Sequence, residues 1–439
     1  MRLLEFARNK AYWILDFLGG GAVKAHLKTI TRCNDCSMSE VEIEQYQNLH
    51  IKKILRHCQK TVPFYRDMDN RNLTEWPVIT KSEIKDAKMD FISTKFDPDT
   101  LIQMSTSGST GTPFVSLQNK DKKKTVNAET MYYMGLLGYK VGQRIIFLRS
   151  VVSECKKRPL QQFQQNIYQI NCNDLSDRGI ERKLAEIQKL SKKSGAFLIA
   201  YASTYEAFRK YFERNGYSKA ADCKIHGIVS GSEMLYDATR EAMKKAFRCR
   251  VVSRYANEEN GFLGQDDSEN NVFLTNRADY YIEILKFDSN EPAREGESGR
   301  IVVTDLFNYG LPMVRYDTGD VGALVRINVD GKDYQAICSF SGRAVDVIFD
   351  SKGGQLSPHA ITNAMWRYQS LRQFKFIQTG KADYEIQINL GDAKIDETTL
   401  IKDMESILGK NSNISLTYVD EIPVLSSGKR RYIENRWKH

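Results

Sequence analysis

Residues Ser105-Thr106-Ser107-Gly108-Ser109-Thr110-Gly111-Thr112-Pro113 form a run of hydroxyl side chains and glycines with no apolar face to bury. Glycine lets backbone N–H groups approach an anion closely, and Ser and Thr add donors, so such a loop suits the β- and γ-phosphates of ATP. A Ser/Thr/Gly linker has a similar composition. The run nevertheless stands alone in mixed sequence, and Pro113 stiffens its exit, which favours the phosphate loop. It is not a Walker-type loop, which closes on Gly-Lys-Ser/Thr, because Gly111 is followed by Thr112-Pro113.

Four more groups carry chemistry. Ser230-Gly231-Ser232-Glu233 and Tyr255-Ala256-Asn257-Glu258-Glu259-Asn260-Gly261 are polar clusters that each close an apolar run, Thr318-Gly319-Asp320 is a turn signal, and Lys429 follows Ser427-Gly428. Activation of a carboxylate by ATP calls for a grip on pyrophosphate, a seat for adenine and ribose, a metal ligand and a cation at the α-phosphate. Taken singly, each group also has a bland explanation. The Glu258-Glu259 turn could be a solvated strand end, and Lys429 lies in a basic tail with Arg430, Arg431 and Arg436 that would ordinarily solvate a face.

The elements that must position these residues are legible in the periodicity. Between residues 196 and 256, Ala196 to Tyr201, Ile225 to Val229 and Val251 to Tyr255 read as strands, separated by helical stretches from Thr204 and through Phe247. This β-α-β-α-β order predicts a parallel sheet, whose ligands gather at the carboxyl ends of the strands, where both polar clusters fall. Arg149, Tyr201, Ser203, Ser230 and Gly231 sit at predicted strand ends and could shape an acid pocket; Tyr201 or Arg149 could equally be core or surface. From Val272 to about Phe340, short alternating runs broken by Gly, Asn and Asp predict a β-rich subdomain. The last hundred residues read as a small α+β unit, with helices near His359 to Tyr368 and Glu397 to Ile407. The expected fold is therefore α/β, with a large domain over 1–342 and a small one over 343–439.

A chain of 439 residues with 41% hydrophobic content buries more than one core. Its net charge of +9 is dispersed among alternating acidic and basic residues, which suits anionic ligands and argues against nucleic acid as a partner. The cysteines, at 33, 36, 58, 155, 172, 223, 249 and 338, have no framework spacing, as expected of reduced thiols in a cytoplasm. Cys33-Asn34-Asp35-Cys36 lacks the second pair of a zinc site. Leu3, Leu4, Phe6, Ala7, Ala11, Ile14, Leu15 and Leu18 recur at helical spacing, in a stretch too short to span a bilayer and unlike a cleaved signal. Packing on the protein's own body or a partner is the expected fate of that helix, with peripheral membrane contact as the alternative.

Four of these groups, with the Gly342-Arg343 segment between Asp320 and Lys429, resemble in order the motifs of the adenylate-forming superfamily of acyl-CoA synthetases, aryl-CoA ligases and nonribosomal adenylation domains. Tyr255 to Glu259 resembles its Tyr-Gly-x-Thr-Glu motif, which implies an adenine seat at Tyr255, with Ala256, Asn257 and Glu258 beside the nucleotide, and a Mg²⁺ ligand in Glu259. Ala256 stands for Gly and Glu258 for Thr, so the usual hydroxyl contact to the α-phosphate is missing there. Arg315-Tyr316-Asp317-Thr318-Gly319-Asp320, preceded by Gly299 to Thr304, resembles the Tyr-Arg-Thr-Gly-Asp motif, which implies ribose binding by Asp320. Gly342-Arg343 with Asp346 resembles the hinge segment and gives Arg343 to ribose or phosphate. Pro423 to Lys429 resembles the C-terminal Gly-Lys motif and makes Lys429 the catalytic cation. Val62-Pro63-Phe64-Tyr65-Arg66 and Pro77-Val78-Ile79-Thr80-Lys81 are similar to signatures of the phenylacetate-CoA ligase branch, most closely to those of its CapK-like members, linked to capsular polysaccharide biosynthesis.

That resemblance implies an AMP-forming ligase using ATP and Mg²⁺. A small carboxylic acid would become an acyl-adenylate, and the acyl group would pass to an amine or to the thiol of CoA as the small domain moves. Members with zinc carry Cys and His just after the Tyr-Gly motif; Phe262 to Leu274 has neither, so no zinc is expected. An aryl- or acyl-CoA ligase shares the first half-reaction. A nucleotide-binding scaffold without turnover is the third reading, supported by Ala256 and Glu258 and opposed by the presence of Lys429, Glu259 and Asp320 together.

Overall fold

The computed structural model describes residues 3–68, 72–106, 114–149, 157–172, 174–232, 234–267, 270, 272–329, 331–343, 348–353, 355–356, 361, 364–365, 368, 371, 373–390, 394–422 and 433–437. Ser107, Gly108, Ser109, Thr110, Gly111, Glu233 and Lys429 lie outside the described residues.

The apolar runs of the middle of the chain form parallel strands. These are β3 (Ile145–Arg149), β4 (Ile167–Asn171), β5 (Ala196–Tyr201), β6 (Ile225–Gly231) and the first part of β7 (Arg250–Asn257). Helices Asp177–Ser191, Ala202–Asn215 and Asp237–Phe247 cross between them and bury Leu184, Ile187, Phe208, Phe212, Met243 and Phe247 against one face. On the other face, Met134 of helix Lys120–Leu136 and the following Leu137 pack on Phe197, Ile199, Val229 and Val252. The β-α-β-α-β expectation is met, with the first of its two helices starting at Ala202.

Strand β7 is the joint between the two halves of the large sheet. It runs parallel to β6 and antiparallel to β8 (Gly261–Asp267), and β9 (Val272–Thr275), β10 (Tyr280–Leu285), β11 (Gly299–Asp305), β12 (Tyr316–Val329) and β13 (Lys332–Arg343) complete the β-rich region. All belong to one eleven-stranded sheet of order β10-β11-β12-β13-β9-β8-β7-β6-β5-β3-β4. The α/β and β-rich regions, which periodicity separates, are thus one continuous sheet. A change of strand direction at β7 leaves no mark in the alternation of side chains, which has period two in either sense.

Ahead of this sheet, β1 (Ile102–Thr106) and β2 (Phe114–Gln118) form an antiparallel hairpin with Thr106 opposite Phe114, so it flanks the Ser/Thr/Gly run. Beyond it, β14 (Ile348–Phe349) pairs with β15 (Gln355–Leu356), and β16 (Gln373–Gln378), β17 (Asp383–Asn389), β18 (Asn413–Tyr418) and β19 (Ile433–Asn435) form a second sheet of order β18-β17-β16-β19. Its own core joins Phe376, Ile386 and Ile388 to Leu400, Met404 and Leu408 of helix Glu397–Leu408, whose N-cap Asp396 accepts a hydrogen bond from the Thr399 N–H.

The amino-terminal helix forms at Leu3–Leu18 but does not bury its apolar side in the body. Leu3, Leu4, Ile14, Leu15, Phe17 and Leu18 are exposed. The packed side is mixed: Trp13 packs on the cluster of Val23, Ile30 and Cys33, Glu5 is buried, Arg8 donates to the Phe163 carbonyl (2.8 Å) and Asn9 to that of Val141 (3.0 Å). Among the described residues no helix is long and apolar enough to cross a membrane.

Candidate active site

Tyr255 and Asp320, 65 residues apart in sequence and on strands β7 and β12, are joined by a hydrogen bond. The Tyr255 hydroxyl donates to Asp320 Oδ2 at 2.9 Å and lies 3.4 Å from Thr318 Oγ1. Tyr255 is buried, with its ring 4.6 Å from that of Phe340 and 6.4 Å from that of Phe273. Burial pushes its phenol well above the ordinary range, and the Asp320 carboxylate pushes the same way, so the hydroxyl keeps its proton and serves as a fixed donor. Gly319, at φ +73°, turns the backbone so that its N–H reaches Asp317 Oδ1 (2.9 Å), while Asp320 N–H reaches Thr318 Oγ1 (3.1 Å). In the pairing of β12 with β13, Asp320 stands opposite Arg343, which brings the ribose and hinge motifs side by side.

Glu259 occupies the turn between β7 and β8 and is only 5% exposed. Its Oε1 lies 3.4 Å from Lys81 Nζ and 3.4 Å from the Tyr316 hydroxyl. Both contacts are longer than the ~2.7–2.9 Å of a tight charge-assisted bond, so the buried carboxylate retains capacity for a hard cation such as Mg²⁺. The turn is held from below: Asn257 Oδ1 accepts from Asn260 N–H (2.8 Å), and Gln118 Nε2 approaches the carbonyls of Glu258 (3.4 Å) and Glu259 (3.5 Å). Ala256 is half-buried opposite Phe262, and the Glu258 side chain is exposed.

Beneath the turn is a buried ionic network. Lys122 Nζ lies 2.7 Å from Asp305 Oδ2 and 3.8 Å from Glu129 Oε1, all three side chains being fully buried, and it donates to the Tyr280 hydroxyl at 2.9 Å. That hydroxyl is within hydrogen-bonding distance of Glu129 Oε1 (2.7 Å) and the Asn260 carbonyl (2.8 Å), and Glu129 Oε2 accepts from Phe262 N–H (2.8 Å). Burial alone would depress the Lys122 ammonium, but Asp305, Glu129 and Asp279 more than restore it, so it stays charged. A side chain at Gly261 would collide with this network, since its Cβ would sit 2.5 Å from Glu129 Oε2 and 2.6 Å from the Tyr280 hydroxyl.

Lys81, Tyr316 and Gln118 are contacts of the Glu259 turn to which sequence reasoning gave no site role. The signal was present in the Pro77 to Lys81 signature: Ile79 N–H donates to the Arg315 carbonyl (3.0 Å), Asp317 N–H donates to Ile79 (2.8 Å), and the pairing delivers Lys81 to the site at the head of helix Lys81–Asp86. Arg315, left-handed at φ +48° and buried, forks onto Glu283 (3.1 and 3.0 Å) and the carbonyls of Thr74 and Trp76 (both 2.8 Å), so it clamps the amino-terminal segment to the sheet. Gly231 ends β6, and Ser232 follows in a left-handed conformation, φ +69°, exposed. Ser105 and Thr106 end β1 at the mouth of the Ser/Thr/Gly run.

The carboxyl-terminal residues 348–436 match the CapK C-terminal domain family. Protein CapK of Staphylococcus aureus is 24% identical over 94% of this chain and 92% of its own length. The chain is similar to CapK over nearly its whole length. Among solved structures it is similar to 2-hydroxyisobutyryl-CoA ligase in the postadenylation state with R3-HIB-AMP, at TM-score 0.72 and 14% identity over 92% of each chain. It is also similar to ATP-bound MatB from Rhodopseudomonas palustris, at TM-score 0.54 and 14% identity over 77% of this chain and 68% of that one. The fold of this chain is that of the adenylate-forming ligases.

Proposed function

We propose that this protein is an AMP-forming ligase that joins a carboxylic acid to ATP, releases pyrophosphate and passes the acyl group from the acyl-adenylate to an acceptor. The observation that carries this reading is the convergence of Tyr255 with Asp320, and of Glu259 with Tyr316, between the β7–β8 region and β12 of one sheet with this fold. Tyr255 fixes Asp320 where a carboxylate accepts the ribose hydroxyls, and the backbone of Arg343 stands opposite. Glu259 would hold Mg²⁺, which when bound offsets the charge of the phosphates. The Ser105 to Gly111 run would grip the departing pyrophosphate, with Gly231, Ser232 and Glu233 framing the nucleotide from β6. Lys429 would offset charge at the α-phosphate as a carboxylate oxygen attacks it and the bond to pyrophosphate breaks. The acceptor then attacks the acyl carbon and AMP leaves.

Division at about residue 342 into a large and a mobile small domain fits this two-step course. CoA is an acceptor on this reading because a 2-hydroxyisobutyryl-CoA ligase structure with 2-HIB-AMP and CoA has a similar fold, at TM-score 0.59; an amine is the alternative. A role in capsule or other surface polysaccharide synthesis rests on the likeness to CapK. Carboxylate-dependent ATP–pyrophosphate exchange tests the reading. Wild type is expected to exchange with one class among amino, uronic and aryl acids, and Lys429→Ala to lose exchange with an unchanged melting temperature. Exchange that survives in Lys429→Ala would refute the role given to Lys429, and silence across the panel with ATP still bound would refute adenylation in favour of a nucleotide-binding scaffold.

A further inference from the structure

Four residues form a row across the carboxyl edge of the parallel strands. Leu148 pairs with Ala200, Tyr201 with Gly231, and Ser230 with Ser253. One step further along, Arg149 stands beside Tyr201, and Gly231 beside Arg254. Two residues earlier in each strand are Phe147, Ile199, Val229 and Val252, which belong to one apolar cluster under helix Lys120–Leu136. Side chains alternate between faces, so Arg149, Tyr201 and Arg254 project from that same face, past the end of the cluster.

Gly231 leaves a gap in the row, and Arg254 fills its edge: a Cβ at Gly231 would sit 2.8 Å from Arg254 Nε. The Arg254 guanidinium lies 5.1 Å from the Phe262 ring centroid, and that of Arg149 lies 5.2 Å from the Phe147 ring centroid. Among the described residues, neither guanidinium has a hydrogen-bonded or ion-paired carboxylate, and Arg149 Nε is buried without a partner. Burial depresses Arg254, and Arg149 adds to the depression; Glu258, which offsets it, is exposed. Half-buried Lys157 is likewise depressed by burial and by Arg149. Both arginines are half-buried, and partly desolvated cations without an acid are costly, so a structure keeps them where an anion arrives to pair them.

We propose that Arg149 and Arg254 form a recognition site for a second anionic group on the acid, so that the substrate carries a carboxylate or phosphate in addition to the carboxylate that is activated. The proposal rests on the adenylation reading for the fate of the first carboxylate and on the register row for the second. Guanidinium groups pair bidentately with either anion, and aromatic backing restricts where each fork can point.

Calorimetric titration of the full chain with α,β-methylene-ATP present tests it, using succinate against butyrate and 3-phosphoglycerate against glycerate. The doubly charged acids are expected to bind more tightly, and whether succinate or 3-phosphoglycerate gains more identifies the anion. Arg254→Gln and Arg149→Gln are each expected to weaken the doubly charged acids about ten- to a hundredfold while leaving the nucleotide affinity unchanged; Arg254→Lys should recover part of the loss. Should a Gln variant not fold, the Lys variant at the same position, which keeps the charge but loses the bidentate fork, replaces it. Equal binding of charged and neutral-tailed acids, binding of none, or a preference untouched by both arginine changes would overturn the proposal. Loss of CoA binding in Arg254→Gln with the acid preference intact would give the arginines to the acceptor and also overturn it. Preference without pyrophosphate exchange would keep the site and sink adenylation, whereas exchange with neutral-tailed acids alone would do the reverse.

Discussion

Replacing Gly261 by alanine drives a methyl group into the network that holds the Glu259 turn. The backbone there has φ +131°, a region that L side chains rarely enter, and occupying it costs about 1–3 kcal/mol. The new Cβ would lie 2.5 Å from Glu129 Oε2 and 2.6 Å from the Tyr280 hydroxyl. Neither atom yields cheaply, because Glu129 Oε2 accepts from Phe262 N–H and the Tyr280 hydroxyl sits between Glu129, Asn260 and Lys122. Displacing each leaves buried polar groups unmatched at roughly 1–3 kcal/mol apiece, for a total of at least about 3 kcal/mol and, in a chain of this length, a melting temperature lower by about 3 °C or more. Gly138→Ala is the matched control, since Gly138 has φ +88° but nothing within 4 Å of its would-be Cβ; only the backbone cost applies. Differential scanning fluorimetry should therefore rank Gly261→Ala well below Gly138→Ala, and pyrophosphate exchange should fall only in the former. Equal melting temperatures and equal exchange in the two variants would refute the idea that this network positions Glu259.

Asp320→Asn keeps an acceptor for Tyr255 but loses the charge offered to ribose, so the KM for ATP in the exchange assay should rise about ten- to a hundredfold with little change in melting temperature. Lys122→Met leaves the buried Asp305 carboxylate, 2.7 Å from Lys122 Nζ, without its cation and should cost about 3–5 kcal/mol in urea denaturation; a loss below ~1 kcal/mol would show that the pair is not maintained as ions. His50, with Nδ1 buried and unpartnered, is depressed from 6.5 to about 4 by burial, with Lys53 and His26 contributing. Below about 6.5 the unfolded chain takes up a proton there that the folded chain does not, so stability is lost as pH falls from about 6.5 toward 4. His50→Phe, beside Phe307 at 4.9 Å, should flatten that acid limb in melting temperatures measured between pH 7 and 4.5; an unchanged limb would assign the acid sensitivity elsewhere.

The order of strands and helices from 196 to 257 and the β-rich region after it were legible because periodicity is local: each burial choice repeats within a few residues. Tyr255, Glu259 and Asp320 could be singled out because their residue types and spacing resemble family motifs carried on short turns. Other features lay outside what local pattern records. The amino-terminal helix was visible as a helix, but which side it turns to the body depended on the carbonyls of Phe163 and Val141, some 130 to 155 residues away. Lys81 and Tyr316 reach Glu259 only because Ile79 pairs with the strand carrying Asp317, a contact of more than 230 residues' separation.

The sequence by itself determined the α/β class, the succession of elements and the residue types available for binding ATP, since these follow from composition, periodicity and turn chemistry read one segment at a time. Tertiary structure alone decided that β7 joins two patterns into one sheet and that a buried lysine network supports the Glu259 turn. It also decided that Arg149 and Arg254 share one row. Each of these is a question of register and burial between distant segments. Burial is what gives such residues their energetic weight, because a charge is costly only once the fold has taken it out of water.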